Sequence, residues 1–293
     1  MTRVPPTQWD RSVTRKCLLA VMLGCFLVVS GNWGQEVLGL VEAGKVPTVA
    51  KADEGGETVP GAVPFWTEEQ TPVDFLEAVG LVAKARWRQL YRPPPTTPSP
   101  DRIRTAVTLG YLVGESYLCV QAADAQQFRN NNQEVMTYCR TLGFGEKVSP
   151  MLLGQAKLAE MEQWTELKVS VIEGYQALEQ PLMDQRDEDL AVLLKLGVWL
   201  RTLEIVSSVV LDSPEADFKK LCVGSPALIE ELRGAYVQMP ETVREGDVGK
   251  EVGHLLDFLW RNWGRPDLVE PNAEVVQKTH ERLAQSARKL SLK

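Results

Sequence analysis

The sequence predicts an all-α protein, a single multi-helix array of about eight helices preceded by a signal peptide and a flexible tether. Three observations support this class. Apolar residues recur at helical spacing from Thr71 almost to the C terminus. Alternating β-branched runs bounded by hairpin turns are lacking, so strands are expected to be scarce. Proline, often in a Ser-Pro pair, stands where helical stretches begin or end.

Residues 1–31 have the pattern of a secretory signal peptide. Basic residues precede an uncharged apolar run over 17–30, and small and polar residues follow it. The run is shorter than the ~20 residues that a membrane-spanning helix needs. We expect cleavage after Gly31, with an uncleaved anchor or a lipid at Cys25 as alternatives. The pattern predicts an exported protein that is periplasmic or membrane-tethered.

The rest of the chain divides into a linker and a helical domain. Residues 32–70 are rich in glycine, proline and acidic residues, which predicts a flexible acidic linker. The helical domain spans 71–293, with a proline-rich spacer at 93–100. Thr71 and Pro72 supply an N-cap and a first-turn proline for the first helix. The helices are expected at 72–92, 101–128, 132–142, 149–180 with a bend near Trp164, 184–211, 213–221, 225–238, 248–263 and 271–290.

Two helices are expected to form the centre of the domain. The stretches 105–123 and 190–211 are apolar nearly all round, which is typical of helices buried on most sides. Ala106, Gly110 and Gly114 follow each other at four-residue spacing on the first stretch. Small residues on one face allow a neighbouring helix to approach closely, and the outer, amphipathic helices are expected to wrap the central pair.

Charged residues inside these apolar stretches are the candidate site. A buried carboxylate is costly unless it is paired, so Glu115 is expected to bridge to Arg201, or Arg201 to pair locally with Glu204. Either pair would fix the register between the central helices. The functional alternative is a polar pocket that contains Glu115 and Tyr117 and binds a small solute.

The sequence contains no recognisable catalytic, phosphate-binding or metal-binding motif. Glu251 and His254 have the E-x-x-H spacing of carboxylate di-iron bundles, but Gln277 stands three residues before the other histidine, His280, so the second motif is missing. We therefore expect neither a metal ion nor a cofactor and assign no catalytic residue. Enzymatic activity stays open, and a non-catalytic role is favoured.

Two further groups of residues are candidates for structural or surface roles. Cys119 and Cys139 are candidates for a disulfide, because export permits oxidation and the chain is expected to reverse at 129–131, midway between them; buried unpaired thiols are the alternative. Aromatic and basic side chains alternate near the C-terminal end and predict a surface patch for a partner or carbohydrate. Its members are Trp260, Arg261, Trp263 and Arg265.

Three segments resemble a known group of proteins. LGYLVGESY at 109–117, QEVM at 133–136 and LGVWLRTLE at 196–204 resemble a loose group of uncharacterised all-helical exported proteins and lipoproteins of Gram-negative bacteria. That group carries a Gly-containing Ser-Tyr helix and a later Gly-Trp helix in the same order. The resemblance spans about 101–212 and implies the fold and the location, but no activity.

These patterns favour a binding or scaffolding protein of the cell envelope whose partner is an envelope protein or a small ligand. The alternative is a carboxylate-dependent enzyme or small-ligand binder that uses a central polar pocket around Glu115 and Arg201. The net charge of -7 argues against a nucleic-acid partner, which would require a basic face. Membrane contact is expected only through the N-terminal segment, if that segment is uncleaved.

Overall fold

The computed structural model describes residues 71–93, 97–212, 226–264 and 273–291. These residues form ten α-helices and one 3₁₀ helix, with no strand among them. The all-α prediction is confirmed. The predicted signal peptide, the predicted linker over 32–70 and the helix expected at 213–221 lie outside the described residues.

The helices follow one another with short connections. In chain order they are α1 Pro72–Val82, the 3₁₀ helix Trp87–Leu90, α2 Arg102–Gln121, α3 Ala125–Thr141, α4 Gly145–Glu160, α5 Trp164–Asp184, α6 Glu188–Leu211, α7 Pro226–Gln238, α8 Glu241–Arg244, α9 Asp247–Trp263 and α10 Ala273–Ser291. None of these helices is both long enough and apolar enough to cross a membrane.

The first helix begins as predicted and ends early. Thr71 forms a capping box with Asp74: each side chain accepts a hydrogen bond from the other residue's backbone N–H. The helix ends at Val82 rather than at residue 92, and Ala83 is extended. The backbone beyond it makes hydrogen bonds to the central helices instead of continuing α1, as described for the candidate site below.

The reversal between α2 and α3 lies at 122–124, not at the predicted 129–131. Ala123 adopts a positive φ of 47°, and the Asp124 side chain caps α3 by accepting from the Gln127 backbone N–H. The asparagine run that suggested a break lies inside α3. Asn131 and Asn132 are buried there, and their amide groups donate to the carbonyl oxygens of Leu112 and Leu152 at 2.7 and 2.6 Å.

The helix expected at 149–180 is in fact two helices. The first, α4, already begins at Gly145 and contains Pro150. Residues 161–163 form the connection, in which Glu162 has a positive φ of 55°. The second helix, α5, begins at Trp164, the position where a bend was expected.

Two helices form the centre of the array, as predicted. Both α2 and α6 are buried along most of their length, and they cross where Gly110 faces Gly197. A Cβ atom on Gly110 would lie 2.2 Å from the Leu194 carbonyl oxygen, and one on Gly197 would lie 2.2 Å from that of Val107. Only glycine permits this backbone approach. The other helices surround the pair, and α10 packs against both members.

Candidate functional site

The predicted pairing of charges in the central helices is confirmed. The Arg201 guanidinium from α6 lies 2.6 Å from a Glu115 oxygen of α2, and its other terminal nitrogen lies 2.9 Å from a Glu204 oxygen. All three side chains are at most 7% exposed. Both pairs that the sequence suggested are therefore present at once, and together they join the two central helices.

Arg92 completes the cluster, and sequence reasoning missed it. Its Nε donates to both carboxylate oxygens of Glu204 at 2.9 and 3.0 Å, and a terminal nitrogen also pairs with Glu204. The backbone N–H of Arg92 donates to Glu115 at 3.1 Å, while the Leu90 carbonyl accepts from Arg201 at 2.6 Å. Residues 90–92 thus form hydrogen bonds with both α2 and α6, through backbone as well as side-chain groups.

The cluster holds two arginines and two glutamates, so its formal charges balance. Burial alone would raise the pKa of Glu204, but the charges of Arg201 and Arg92 outweigh burial and hold that pKa below its usual range. Burial would likewise lower the pKa of Arg201, and the two glutamates raise it above its usual value. Glu204 and Arg201 are therefore ionised at neutral pH.

A cavity of about 320 Å³ lies beside this cluster. We call it the Glu115 cavity. Its walls come from α2, α3 and the end of the 87–93 segment, together with Arg201 of α6. The lining residues are Arg92, Pro93, Thr108, Tyr111, Leu112, Glu115, Gln127, Asn130, Asn131, Gln133, Glu134 and Arg201.

Tyr111 is the tyrosine of this cavity. It precedes Glu115 by four residues and so shares its helix face. Its side chain is 5% exposed, and its hydroxyl has no hydrogen-bond partner among the described residues. Burial raises the pKa of Tyr111, so the phenol stays neutral and keeps its proton. A buried hydroxyl without a partner costs stability.

The predicted pocket of Glu115 with Tyr117 is wrong. Tyr117 follows Glu115 by only two residues, which places it on a different side of α2. It is buried towards α5, where the charge of Glu179 contributes to raising its pKa after burial itself. The helical period could have separated the two tyrosines, since Tyr111 is the one spaced four residues from Glu115.

A second cavity, of about 410 Å³, lies on the other side of Arg92 and is lined partly by Glu204 and His280. His280 Nδ1 lies 3.1 Å from the Ser207 hydroxyl, which itself donates to the Glu204 carbonyl at 2.8 Å. Ser207 is fully buried and does not line this cavity. Its hydroxyl is therefore not presented to a substrate, as a Ser-His nucleophile requires.

The predicted disulfide is wrong: Cys119 and Cys139 are both free and buried. The reason is the position of the turn. With the reversal at 122–124, Cys119 is close to the turn and Cys139 is far along α3, which separates them by roughly 18 Å along the helix axes. Burial raises the pKa of both thiols, to about 12 for Cys139.

The predicted aromatic-basic patch is only partly a surface. Trp263 belongs to the core and donates to the Thr279 hydroxyl at 2.8 Å. Trp260 is half-buried, and the guanidinium of Arg233 lies over its ring at 5.4 Å. Arg261 is exposed, while Arg265 lies outside the described residues.

The E-x-x-H residues do not converge on a common site. Glu251 accepts hydrogen bonds from Ser286 and Lys289 of α10, whereas His254 is exposed. Among the residues that the structure describes, no three histidine, cysteine or carboxylate side chains are grouped closely enough to hold a metal ion.

The chain matches no known family, and neither a curated protein nor a solved structure is significantly similar to it. The resemblance to exported helical proteins of Gram-negative bacteria therefore stays a prediction.

Proposed function

We propose that this chain is an exported binding protein that takes up a small ligand in the Glu115 cavity. The observation that carries the proposal is the cavity of about 320 Å³, whose lining combines apolar side chains with polar ones such as Glu115, Asn131 and Arg201. Cavities of roughly this volume hold small organic molecules, and a few convergent polar groups commonly orient the ligand.

Binding is better supported than catalysis by the state of the carboxylates. A general acid needs a raised pKa. A general base needs an accessible lone pair and a pKa close to neutral pH. Glu204 has a lowered pKa, and both of its oxygens accept from arginine. Two oxygens of Glu115 are likewise engaged, one by Arg201 and one by the Arg92 backbone. These ion pairs therefore stabilise the wall of the Glu115 cavity.

The location in the cell envelope is part of the same proposal. It is supported by the basic residues and the apolar run within 1–31. Expression of the full chain in a Gram-negative host, followed by fractionation, should find the protein outside the cytoplasm. N-terminal sequencing should find a start at Asn32. Retention in the cytoplasmic fraction would refute the proposed location but would not contradict ligand binding in the Glu115 cavity.

Ligand binding can be tested by thermal-shift screening of the purified protein against a library of small metabolites. Gln127→Trp places a large ring in the cavity wall and should abolish the stabilisation that a bound compound gives. Gln126→Trp is the matched control, since Gln126 is exposed and does not line the cavity. Equal responses of both variants would show that compounds bind elsewhere.

Tyr111→Phe tests whether the buried hydroxyl lacks a partner. Removing a buried hydroxyl that lacks a partner should stabilise the empty protein by about 1 kcal/mol. A variant that is less stable than the natural chain in urea unfolding would contradict the description of this hydroxyl as unpartnered.

A further inference from the structure

We infer that the second cavity, of about 410 Å³, binds a small organic acid that carries one carboxylate on an apolar body. Its walls come from the 87–93 segment, α6 and α10, and we call it the Arg288 cavity after its α10 arginine. It is a site separate from the Glu115 cavity. Three features support the inference: an excess of positive charge, guanidinium N–H groups without an acceptor among the described residues, and an apolar remainder of the wall.

The described lining of the Arg288 cavity carries more positive than negative charge. Its arginine and carboxylate members are Arg92, Arg201, Arg288 and Glu204. Glu115 pairs with Arg201 from outside this lining and offsets a second arginine. His280 also lines the cavity, but burial lowers its pKa, so it is mostly neutral at neutral pH and adds little charge. One positive charge is left, and a monoanion would balance it.

Arg288 is the source of this excess. The other lysine and arginine side chains of α10 each pair with a carboxylate at 2.6–2.9 Å; they are Lys278, Arg282 and Lys289. Arg288 has no such partner among the residues that the structure describes, and its side chain is exposed. A guanidinium group with free donors in a cavity wall suits a carboxylate, because it can donate two parallel hydrogen bonds to the two oxygens.

Arg92 supplies further donors to the same cavity. Its Nε and Nη2 pair with Glu204, and Nη2 also lies 3.5 Å from the Ala284 carbonyl oxygen of α10, whereas Nη1 has no acceptor among the described residues. Nη1 and Nη2 form the terminal edge of the planar guanidinium group, so this edge is turned towards α10. Arg288 follows Ala284 by four residues and lies on the same face of α10. The free donors of Arg92 and Arg288 therefore converge on one cavity.

The remainder of the wall indicates what kind of acid fits. Apolar side chains line the cavity beside the charged groups, namely Leu90, Pro93, Ile205 and Ala284. They can bury an alkyl chain or an aromatic ring, and a cavity of this volume holds a small organic molecule. A single carboxylate matches the one unbalanced positive charge, whereas a phosphate monoester would bring about two negative charges at neutral pH. The best fit is therefore a monocarboxylate with a short alkyl or aromatic body.

The test compares head groups on the same carbon frames by calorimetry with the full-length protein. The first set is hexanoate, 1-hexanol, hexylamine and hexyl phosphate, and the second is phenylacetate, 2-phenylethanol and phenethylamine. The carboxylate should bind at least about tenfold more tightly than the alcohol and the amine of its set. Binding led by an alcohol, an amine or the phosphate would overturn the ligand class, and no binding by either carboxylate would overturn the site.

Arg288→Gln tests the unbalanced charge. It should weaken both carboxylates about tenfold, the effect expected from losing a charge-assisted hydrogen bond, and should leave the alcohols unchanged. Because Arg288 is exposed, the variant should keep its fold. Arg261→Gln is the matched control, since Arg261 is exposed on α9 and does not line the cavity, so that the same charge is removed elsewhere. Equal weakening by both variants would indicate a general charge effect and contradict the inference.

Two cavity-filling variants distinguish the two sites. Ser208 lines the Arg288 cavity, so Ser208→Trp should abolish carboxylate binding, whereas Gln127→Trp, which fills the Glu115 cavity, should leave it unchanged. The opposite pattern would place the acid in the Glu115 cavity, which would overturn this inference and support the proposed function. If circular dichroism shows that Ser208→Trp does not fold, the comparison of Arg288→Gln with Arg261→Gln decides. Binding that neither Ser208→Trp nor Arg288→Gln weakens would also overturn the inference.

Discussion

At the scale of single residues, we expect replacement of Glu115 to reduce the free energy of unfolding most. Glu115→Leu leaves the buried Arg201 with one carboxylate instead of two, in a site where the arginine is 3% exposed. We expect a loss of about 3–5 kcal/mol in the free energy of unfolding, measured by urea titration. Glu173→Leu, at an exposed position, should stay within about 0.5 kcal/mol of the natural chain. Equal stabilities of the two variants would contradict a buried ion pair.

Glu204 makes the stability depend on pH. Its pKa in the folded protein lies below the ordinary value of 4.5, because Arg201 and Arg92 outweigh the effect of burial. A lowered carboxylate pKa contributes stability above about pH 4.5, and this contribution is lost as the pH falls through the folded pKa. The stability difference between the natural chain and Glu204→Gln should therefore shrink between pH 5 and pH 3. A difference that stays constant over this range would refute the assignment.

Part of this cluster could be predicted from the sequence, and the rest could not, for a physical reason. Glu115, Arg201 and Glu204 were predictable because a charge inside an apolar helix needs a partner. Arg92 has no such context: it stands beside Pro93 at the end of a polar stretch, and its role depends on where tertiary contacts place residues 90–92. The unpartnered state of the Tyr111 hydroxyl also depends on packing, which no local pattern encodes.

At the scale of elements, the crossing of α2 and α6 depends on Gly110 and Gly197. An added Cβ at either residue would lie 2.2 Å from a backbone carbonyl oxygen of the facing helix, so the helices themselves would have to move apart. We expect Gly110→Ala and Gly197→Ala each to cost about 3 kcal/mol of unfolding free energy, at the upper end of overpacking effects.

A glycine that faces open space provides the control for this experiment. Gly154 is exposed on α4, and a Cβ there would meet nothing within 4 Å. Gly154→Ala should gain about 0.5–1 kcal/mol, because alanine is the better helix former. The opposite signs of the two effects, compared by urea unfolding, distinguish close packing from helix propensity. A stabilising Gly110→Ala would show that the crossing is looser than described.

The existence of the helices could be predicted from periodicity, but some of their boundaries could not. The asparagine run over 130–132 has poor helix propensity, and the sequence pattern predicts a break there. It is helical because Asn131 and Asn132 satisfy carbonyl groups on neighbouring helices, a tertiary contact that outweighs a weak local preference. The actual turn at 122–124 carries a local signal, the Asp124 N-cap, that the sequence does show.

At the scale of the whole molecule, the central pair and the cavity depend on one another. The same face of α2 supplies Glu115 to the charge cluster and Tyr111 to the cavity wall, while α6 supplies Arg201 to both. Arg92 ties the 87–93 segment to this pair. Because the wall of the cavity is built from buried ion pairs, the site should stay preformed when it is empty, which lowers the entropic cost of binding.

Hydrogen exchange should show that the central helices open at a higher free-energy cost than the outer ones. Helices α2 and α6 are buried on nearly all sides, whereas α4 buries only one face. Amides of α2 and α6 should therefore exchange only through global unfolding, and those of α4 should exchange sooner through a smaller opening. Mass spectrometry of peptides from the three helices at low denaturant concentrations measures the difference. Glu115→Leu should accelerate α2 and α6 by the same factor, since both lose the pair that joins them. Independent acceleration of α2 alone would contradict a jointly stabilised centre.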